Sequence, residues 1–472
     1  MKSFFTILFV LIVSLVSAQK AVVQIKDVIG DGKGRLKESM TVVNKEDGSF
    51  VLFLLGSRST EAILYDKDYK KVSTIKGDKV LKKDVAVMGY TISNNQYQLI
   101  SKGFDTGSLT STVFDFKNHK VTTKTLDLNL KKQTFIEFFN LGDKMYLLTL
   151  DKNSSNLIHY SIDDQGVATR NEIVIENTFY SSKGFEMNLK KILRNKYTSK
   201  VLPDDKTTMK QAAELLKFYL INDNHLVFTV DYSNTVVNIF DISLKTFEVR
   251  EQTFFRPRPK IQEYGWKANS FLKDHYLFQI VSSKKEMIVT VTNRRDSTLV
   301  KQFGVEKDDK MDFTNSSIIL AKTEDDKLIE KTSQFLRKIS SDRNGIAVSS
   351  VNGNYQITLG GKQLMNGGGG VAMMNPAAGI PIASVGAFTF AFNPSFLMMD
   401  TNSVTHYTSV ECVFDKSFNH LPDVEASSLM LKRRDFLSPD IKNVAETFFN
   451  IEDDYFLGMY YKEADMYVIR KF

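Results

Sequence analysis

The chain has 472 residues, 42% hydrophobic and 25% charged, with 62 Lys and Arg against 55 Asp and Glu and one cysteine, Cys412. That apolar content excludes a disordered chain and the lone thiol excludes an internal disulfide, so burial alone must hold the core. A formal net charge of +7 spread over this length does not argue for nucleic acid.

"MKSFFTILFVLIVSLVSAQK" opens with one Lys, an apolar run over residues 4–16, and small residues at Ser17 and Ala18. This is the pattern of a secretory signal peptide cut after Ala18, leaving 19–472 to fold. The run is shorter than the roughly 20 residues a spanning helix needs. Gln19, not Cys, follows the cut, so no lipid anchor is expected. The expectation is export, to a periplasmic or extracellular site, with no transmembrane span after cleavage.

A repeat then runs through the chain. A turn cluster opens directly into an apolar strand at Phe50, Tyr97, Met145, Leu226, Tyr276, Ile346, Phe396 and Tyr455. The spacings are 47, 48, 81, 50, 70, 50 and 59 residues. A second strand signature follows several units, in which alternating apolar residues and an aromatic end in Asp and a turn: Asp66, Asp115, Asp241 and Asp415. Asp suits such turns because its carboxylate accepts from the backbone just ahead. Upstream of the openings lie further strand-like runs, "MTVVN", "TFIEFFN", "KFYLIN" and "AETFFN". Three or four strands per unit of about 50 residues predict an all-β, single-domain β-propeller. Eight units predict eight blades, with seven the alternative. "AVVQIKDV" near the start and "MYVIRKF" at the end are each incomplete as a blade, so the two are expected to share one. No WD dipeptide, kelch glycine pair or Asp-box marks a particular propeller family.

The two long spacings predict helix-bearing insertions near 180–215 and 305–340, packed as decoration on a propeller face. In the first, Met209, Ala212, Leu215 and Leu216 recur at helical spacing; in the second, Leu328, Ile329, Phe335, Leu336 and Ile339 do. The spacing from Ile346 to Phe396 is ordinary, so the Gly-rich stretch between them reads as part of a blade and not as an insertion. It is expected to form a pliable apolar loop over 366–383, then an inner strand near 387–392. Glycines and prolines make it a poor helix. Its Val371, Met373, Met374, Ile380 and Ile382 are candidate partner contacts, Met being adaptable at irregular surfaces.

Chemical motifs are sparse. His225 and His275 occupy equivalent repeat positions beside Asp223 and Asp274, and His119 and His420 sit in equivalent turns. Recurrence of that kind marks structural residues. Cys412 shares a strand face with Val410 and Phe414 and reads as a packing thiol. "IGDGKGRL" lacks the ending of a phosphate loop, and no nucleophile elbow or zinc-ligand spacing occurs. No catalytic residue, metal or cofactor is therefore assigned. One stretch stands out, "FFRPRPKIQEYGW", where prolines hold Arg256, Arg258 and Lys260 on an extended chain ahead of Tyr264 and Trp266. Cations beside aromatics suit a sugar or an anionic group. The expected function is an exported, non-catalytic propeller that binds a protein or glycan polymer of the cell envelope. The alternatives are a carbohydrate-active or other hydrolase, and a structural component of an envelope or secretion assembly. Nothing in the sequence fixes an oligomeric state.

Overall fold

The protein is described by a computed structural model over residues 21–28, 35–80, 85–103, 108–128, 130, 132–141, 144–154, 156–181, 183–194, 198–201, 207–222, 225–260, 265–321, 327–341, 343–364, 405–426, 444–452 and 454–471. These residues build a β-propeller. Sheet one holds β2 (Leu36–Val43), β3 (Phe50–Gly56), β4 (Ser59–Tyr65) and β5 (Lys71–Asp78). Sheet two holds β6 (Val85–Ser93), β7 (Gln96–Gly103), β8 (Leu109–Asp115) and β9 (Lys120–Leu126). Sheet three holds β10 (Gln133–Leu141), β11 (Lys144–Asp151), β12 (Leu157–Ile162) and β13 (Ala168–Ile173). Sheet four holds β17 (Leu216–Asn222), β18 (His225–Val230), β19 (Val236–Ser243) and β20 (Val249–Phe255). Sheet five holds β21 (Lys267–Lys273), β22 (Tyr276–Ser282), β23 (Glu286–Asn293) and β24 (Leu299–Glu306).

Burial explains the stacking. β3 reads FVLFLLG and is buried on both faces except at its last residue, whereas β5 and β9, at the outer edge, are largely exposed. A strand buried on both faces loses polar alternation because a neighbouring sheet covers each side. Apolar layers accordingly fill the spaces between sheets one and two, two and three, and three and four. A larger layer joins four, five and six, and another joins the last sheet to the first.

The last sheet contains β30 (Val444–Ile451), β31 (Asp454–Tyr461) and β32 (Met466–Lys471), and its fourth strand is β1 (Ala21–Lys26). β1 pairs antiparallel with β32, from Ala21↔Arg470 to Lys26↔Met466. Residues from both chain ends thus share one sheet, as the incomplete strands predicted. Ser39 Oγ donates to the Ala445 carbonyl at 2.7 Å and ties this sheet to the first.

The sixth sheet departs from expectation. Ile346 lies on its first strand, β27 (Arg343–Val351), and the second, β28 (Asn354–Leu364), pairs directly with β29 (Thr405–Phe414) up to Leu364↔Thr405. The Gly-rich stretch is therefore an insertion between two hairpin partners, 40 residues long where the other sheets use two to five. Ile346 thus belongs to a first strand, whereas Phe50, Tyr97, Met145, Leu226, Tyr276 and Tyr455 lie on second strands. Seven sheets of four or five strands occur among the described residues. The expected unit at Phe396, the loop 366–383 and the strand 387–392 lie outside them.

The second predicted insertion does more than decorate. Its β25 (Ile318–Ala321) pairs with β29 and becomes the fourth strand of sheet six, followed by β26 (Lys327–Ile329). Leu328 and Ile329 belong to that edge strand, and only Phe335, Leu336 and Ile339 of the expected stripe are buried on the helix Thr332–Ile339. The first insertion carries β14 (Phe179–Tyr180), β15 (Glu186–Met187), helix α1 (Leu189–Arg194), β16 (Thr198–Val201) and helix α2 (Met209–Ala212). Leu216 opens β17 instead of extending that helix.

Candidate functional site

First-to-second and third-to-fourth connections lie at one end of the strands. Second-to-third connections and the passages between sheets lie at the other, the connector face. The hairpin end is built from local turns. Asp66 accepts from the N–H groups of Asp68 and Lys70 at 2.9 Å each, and Asp415 from Ser417 and Asn419 at 2.8 Å each. Asp241 does not hold its turn: it sits within β19 and meets His225 Nδ1 at 2.8 Å, while Ser243 Oγ accepts from Thr246 N–H.

Charge is buried near the connector face. Lys217, at the start of β17, donates to Asp231 Oδ2 (3.0 Å), Asn269 Oδ1 (2.6 Å) and the Glu214 carbonyl (2.7 Å). Arg256 donates to Asp231 Oδ1 (2.5 Å) and to the carbonyls of Asn269 and Ser233, both at 3.1 Å. The side chains of Lys217, Asp231 and Arg256 are all 0% exposed. Burial opposes ionisation of Asp231, but Lys217 and Arg256 outweigh it and hold the carboxyl below its ordinary range. Asn269 then donates to the Asn344 carbonyl, and Asn344 to the Lys267 carbonyl, linking first strands of sheets four, five and six. Glu214 accepts from Arg343 (2.8 Å) and Lys362 (2.6 Å) and fastens the end of the first insertion to sheet six. There α2 packs so closely that a Cβ on Gly345 would stand 2.9 Å from the Ala213 nitrogen.

β16 pairs parallel with β17 on its inner side, so the insertion reaches inside the first strand of sheet four. Its Lys200 donates to the Phe138 carbonyl at 3.0 Å, lies 4.1 Å from the Phe138 ring centroid, and stands 3.8 Å from Glu137. Glu137 sits at a bulge of β10, and burial raises its pKa against the pull of Lys200. Glu38 sits at the matching bulge of β2, where burial raises its pKa to about 9. Bulges re-aim side chains and recur beside functional sites. A carboxyl kept neutral at neutral pH is available as a proton donor. That neutrality costs stability, because the unfolded carboxyl ionises above its ordinary pKa near 4.5 while the folded one does not. The cost grows from pH 4.5 towards 9. Glu38→Gln should therefore stabilise the fold by about 3 kcal/mol at pH 7, with most of the gain gone at pH 5. Urea melts at both values check this.

The expected ligand residues separate. Arg256 is enclosed in the buried network with its guanidinium fully engaged. Arg258 and Lys260 are exposed on the connector face, Lys260 standing 3.7 Å from Glu306. Trp266 is partly buried, and its carbonyl accepts from Asn234 Nδ2 at 2.8 Å. Phe255, 82% exposed, stands beside this run and escaped the sequence reading. Tyr264, Val371, Met373, Met374, Ile380 and Ile382 lie outside the described residues. Cys412 is buried with Val410 and Phe414, and burial pushes its thiol up. Among the described residues, no group of three or more His, Cys, Asp or Glu is placed to hold a metal, and no helix is long and apolar enough to cross a membrane.

His159 was also passed over. It lies on β12, buried, with its ring 5.2 Å from Tyr146 and 5.4 Å from Phe247, and neither ring nitrogen has a hydrogen-bond partner. With Phe139, Leu148, Leu220, Leu226 and Leu244 it lines an apolar crevice between sheets three and four that leaves no room for a water molecule. Burial lowers its pKa to about 4.

No family model matches the chain, and no curated protein matches it. Among solved structures, it is similar to an ACO/RPE65 chimera at 8% identity and TM-score 0.30, over 60% of this chain and 64% of that one. It is similar to a prolyl endopeptidase at 8% identity and TM-score 0.36, over 90% and 47%. It also resembles the β-propeller domain of Nup133 from Vanderwaltozyma polyspora, at 8% identity and TM-score 0.28, over 59% and 76%. The matched part is less than two thirds of the chimera's length and about half of the peptidase's. These likenesses concern strand architecture and carry nothing about activity.

Proposed function

We propose that this chain is an exported, non-catalytic binding propeller that takes a protein or polymer of the cell envelope on its connector face. One observation carries the reading. The insertions 174–215 and 307–342 and the 40-residue segment 365–404 all leave the strands at the same end. In repeat folds, insertions gather on the binding face, since loops there change without disturbing the stacked core. Arg258, Lys260 and Phe255 share that face, and Val371, Met373, Met374, Ile380 and Ile382 are proposed contacts on the long segment.

Leu364 and Thr405 are already paired, so a turn of a few residues can replace 365–404. The shortened protein should keep its melting temperature within a few degrees, because closing a shorter loop costs less entropy. It should also lose the envelope partner that the full chain captures. Unchanged capture would remove the segment from the binding face. A second reading, hydrolysis of an envelope glycan, is favoured by Glu38 and Glu137, whose raised pKa values suit a proton donor. Turnover of a glycan panel that Glu38→Gln abolishes would replace the binding reading.

A further inference from the structure

At the connector face, beside sheets three and four, two aromatic side chains stand in water. In the hairpin of β14 and β15, Phe179 pairs with Met187 and Tyr180 with Glu186. Phe179 and Met187 are buried in the apolar layer between the two sheets. Alternation along the strand therefore turns Tyr180 outward, where it is 55% exposed, and Phe185 in the turn is 65% exposed. The tip is held in place. Gly184, at φ 78°, donates to the Ser181 carbonyl at 2.9 Å, and Phe185 N–H donates to Ser181 Oγ at 3.0 Å.

Cations lie on the same insertion and on the connection it meets. Lys183 in the turn and Lys191 on α1 are exposed. Lys190 donates to the Lys152 carbonyl, which brings α1 onto the second-to-third connection of sheet three. Lys152 N–H donates to the Lys132 carbonyl at 3.0 Å. Lys102 is near enough that Lys152, after burial, helps hold its ammonium below the ordinary range. The acids close by are Asp151, Glu176 and Glu186, and Asp151 is occupied by the N–H groups of Asn153 and Ser154 at 2.7 and 2.8 Å.

We propose that this corner docks on an anionic lipid surface, with Tyr180 and Phe185 in the headgroup layer and the lysines against lipid phosphates. A soluble polyanion would meet the lysines but would leave the two aromatics wet. A lipid surface satisfies both, since interfacial binding adds buried apolar area to electrostatic attraction. Tyr is at home at that depth, its ring apolar and its hydroxyl in water. The site is separate from the partner contacts proposed above.

The test is cosedimentation of the exported protein with vesicles of phosphatidylcholine alone or of equal parts phosphatidylcholine and phosphatidylglycerol. Binding should require phosphatidylglycerol and weaken with added salt. Tyr180→Ser with Phe185→Ser should reduce it about tenfold, as should Lys183→Glu with Lys191→Glu, both pairs keeping the parent melting temperature. If the aromatic pair unfolds the hairpin, the lysine pair decides alone. Equal binding to neutral vesicles overturns the proposal. So does binding to the mixed vesicles that the lysine pair leaves intact, or that soluble polyphosphate displaces while the aromatic pair leaves it intact.

Discussion

Asp231→Asn should lower the stability of the fold by about 3–5 kcal/mol, the loss expected when one partner of a buried ionic group is removed. Among the described residues the carboxylate is the only acid that contacts Lys217 and Arg256 through side-chain hydrogen bonds, and all three side chains are closed to water. An amide keeps the shape and removes the carboxylate that both cations contact. Lys217 relieves the strain by releasing its proton, towards which burial already pushes it. The deficit should therefore shrink as pH rises, which no simple packing defect would do. Lys217→Met makes the opposite case. Asp231 keeps Arg256 and Asn269 Oδ1 keeps the Ser270 N–H at 2.8 Å, so the loss reduces to the Glu214 carbonyl and one of the two bonds to Asn269, about 1–3 kcal/mol. Guanidinium melts at pH 7 and 9 check the order, and a milder Asp231→Asn than Lys217→Met would contradict the network. Arg258→Ala, on the exposed part of the same run, should stay within about 0.5 kcal/mol.

The repeat was legible because each unit announces itself locally, a turn cluster followed by a strand that a neighbouring sheet covers on both faces. Tyr97 and Met145 open such runs, and the structure gives them to β7 and β11, the second strands of their sheets. Sheet six escaped because its parts are not consecutive. β25 precedes the first strand yet pairs with the third, and 40 residues separate β28 from β29. A strand signature reports its own burial and says nothing of which distant strand it joins. Ile346 and Phe50 look alike in sequence, both apolar openings after a turn, though one is on a first strand and the other on a second.

Arg256 failed for a related reason. The prolines around it imply an extended, solvated connector, but what encloses its side chain comes from Asp231 on another connection, Ser233 beside it, and Asn269 on the next sheet. A local signal did exist. Lys217 lies in "LLKFYLI" and Asp231 closes "LVFTVD", each a charge set in an apolar strand, where an unpaired charge would be prohibitive. Pairing those two would have revealed a buried network and reassigned Arg256. Glu137 carries the same signal in "TFIEFFN" and Glu38 does not; burial raises both pKa values, at bulges that only the register between strands reveals.

His159 should make the protein sensitive to mild acid. Burial lowers its folded pKa to about 4 from the ordinary 6.5, with no charged group opposing it. Tyr146, Leu148, Phe139, Leu220, Leu226 and Leu244 line the crevice around it, and Phe247 covers the ring. A lowered histidine pKa means the folded state resists protonation that the unfolded state accepts. Above about pH 7 both states are neutral and nothing is lost. Between 6.5 and 4 the unfolded state gains protons first, and stability falls by about 3 kcal/mol before levelling off. Glu38 works in the other direction over the same range, its cost falling as the unfolded carboxyl protonates, so the wild-type curve alone would blur the two. The difference between wild type and His159→Phe removes Glu38 from the comparison. That difference should move by about 3 kcal/mol in favour of Phe between pH 7.5 and 4.5. The carboxylates of Asp115, Asp151, Asp296 and Asp415, all lowered by hydrogen bonds within their turns, cancel in the same subtraction. A flat difference across the range would mean that protonated His159 finds a partner, which requires the seam between sheets three and four to open.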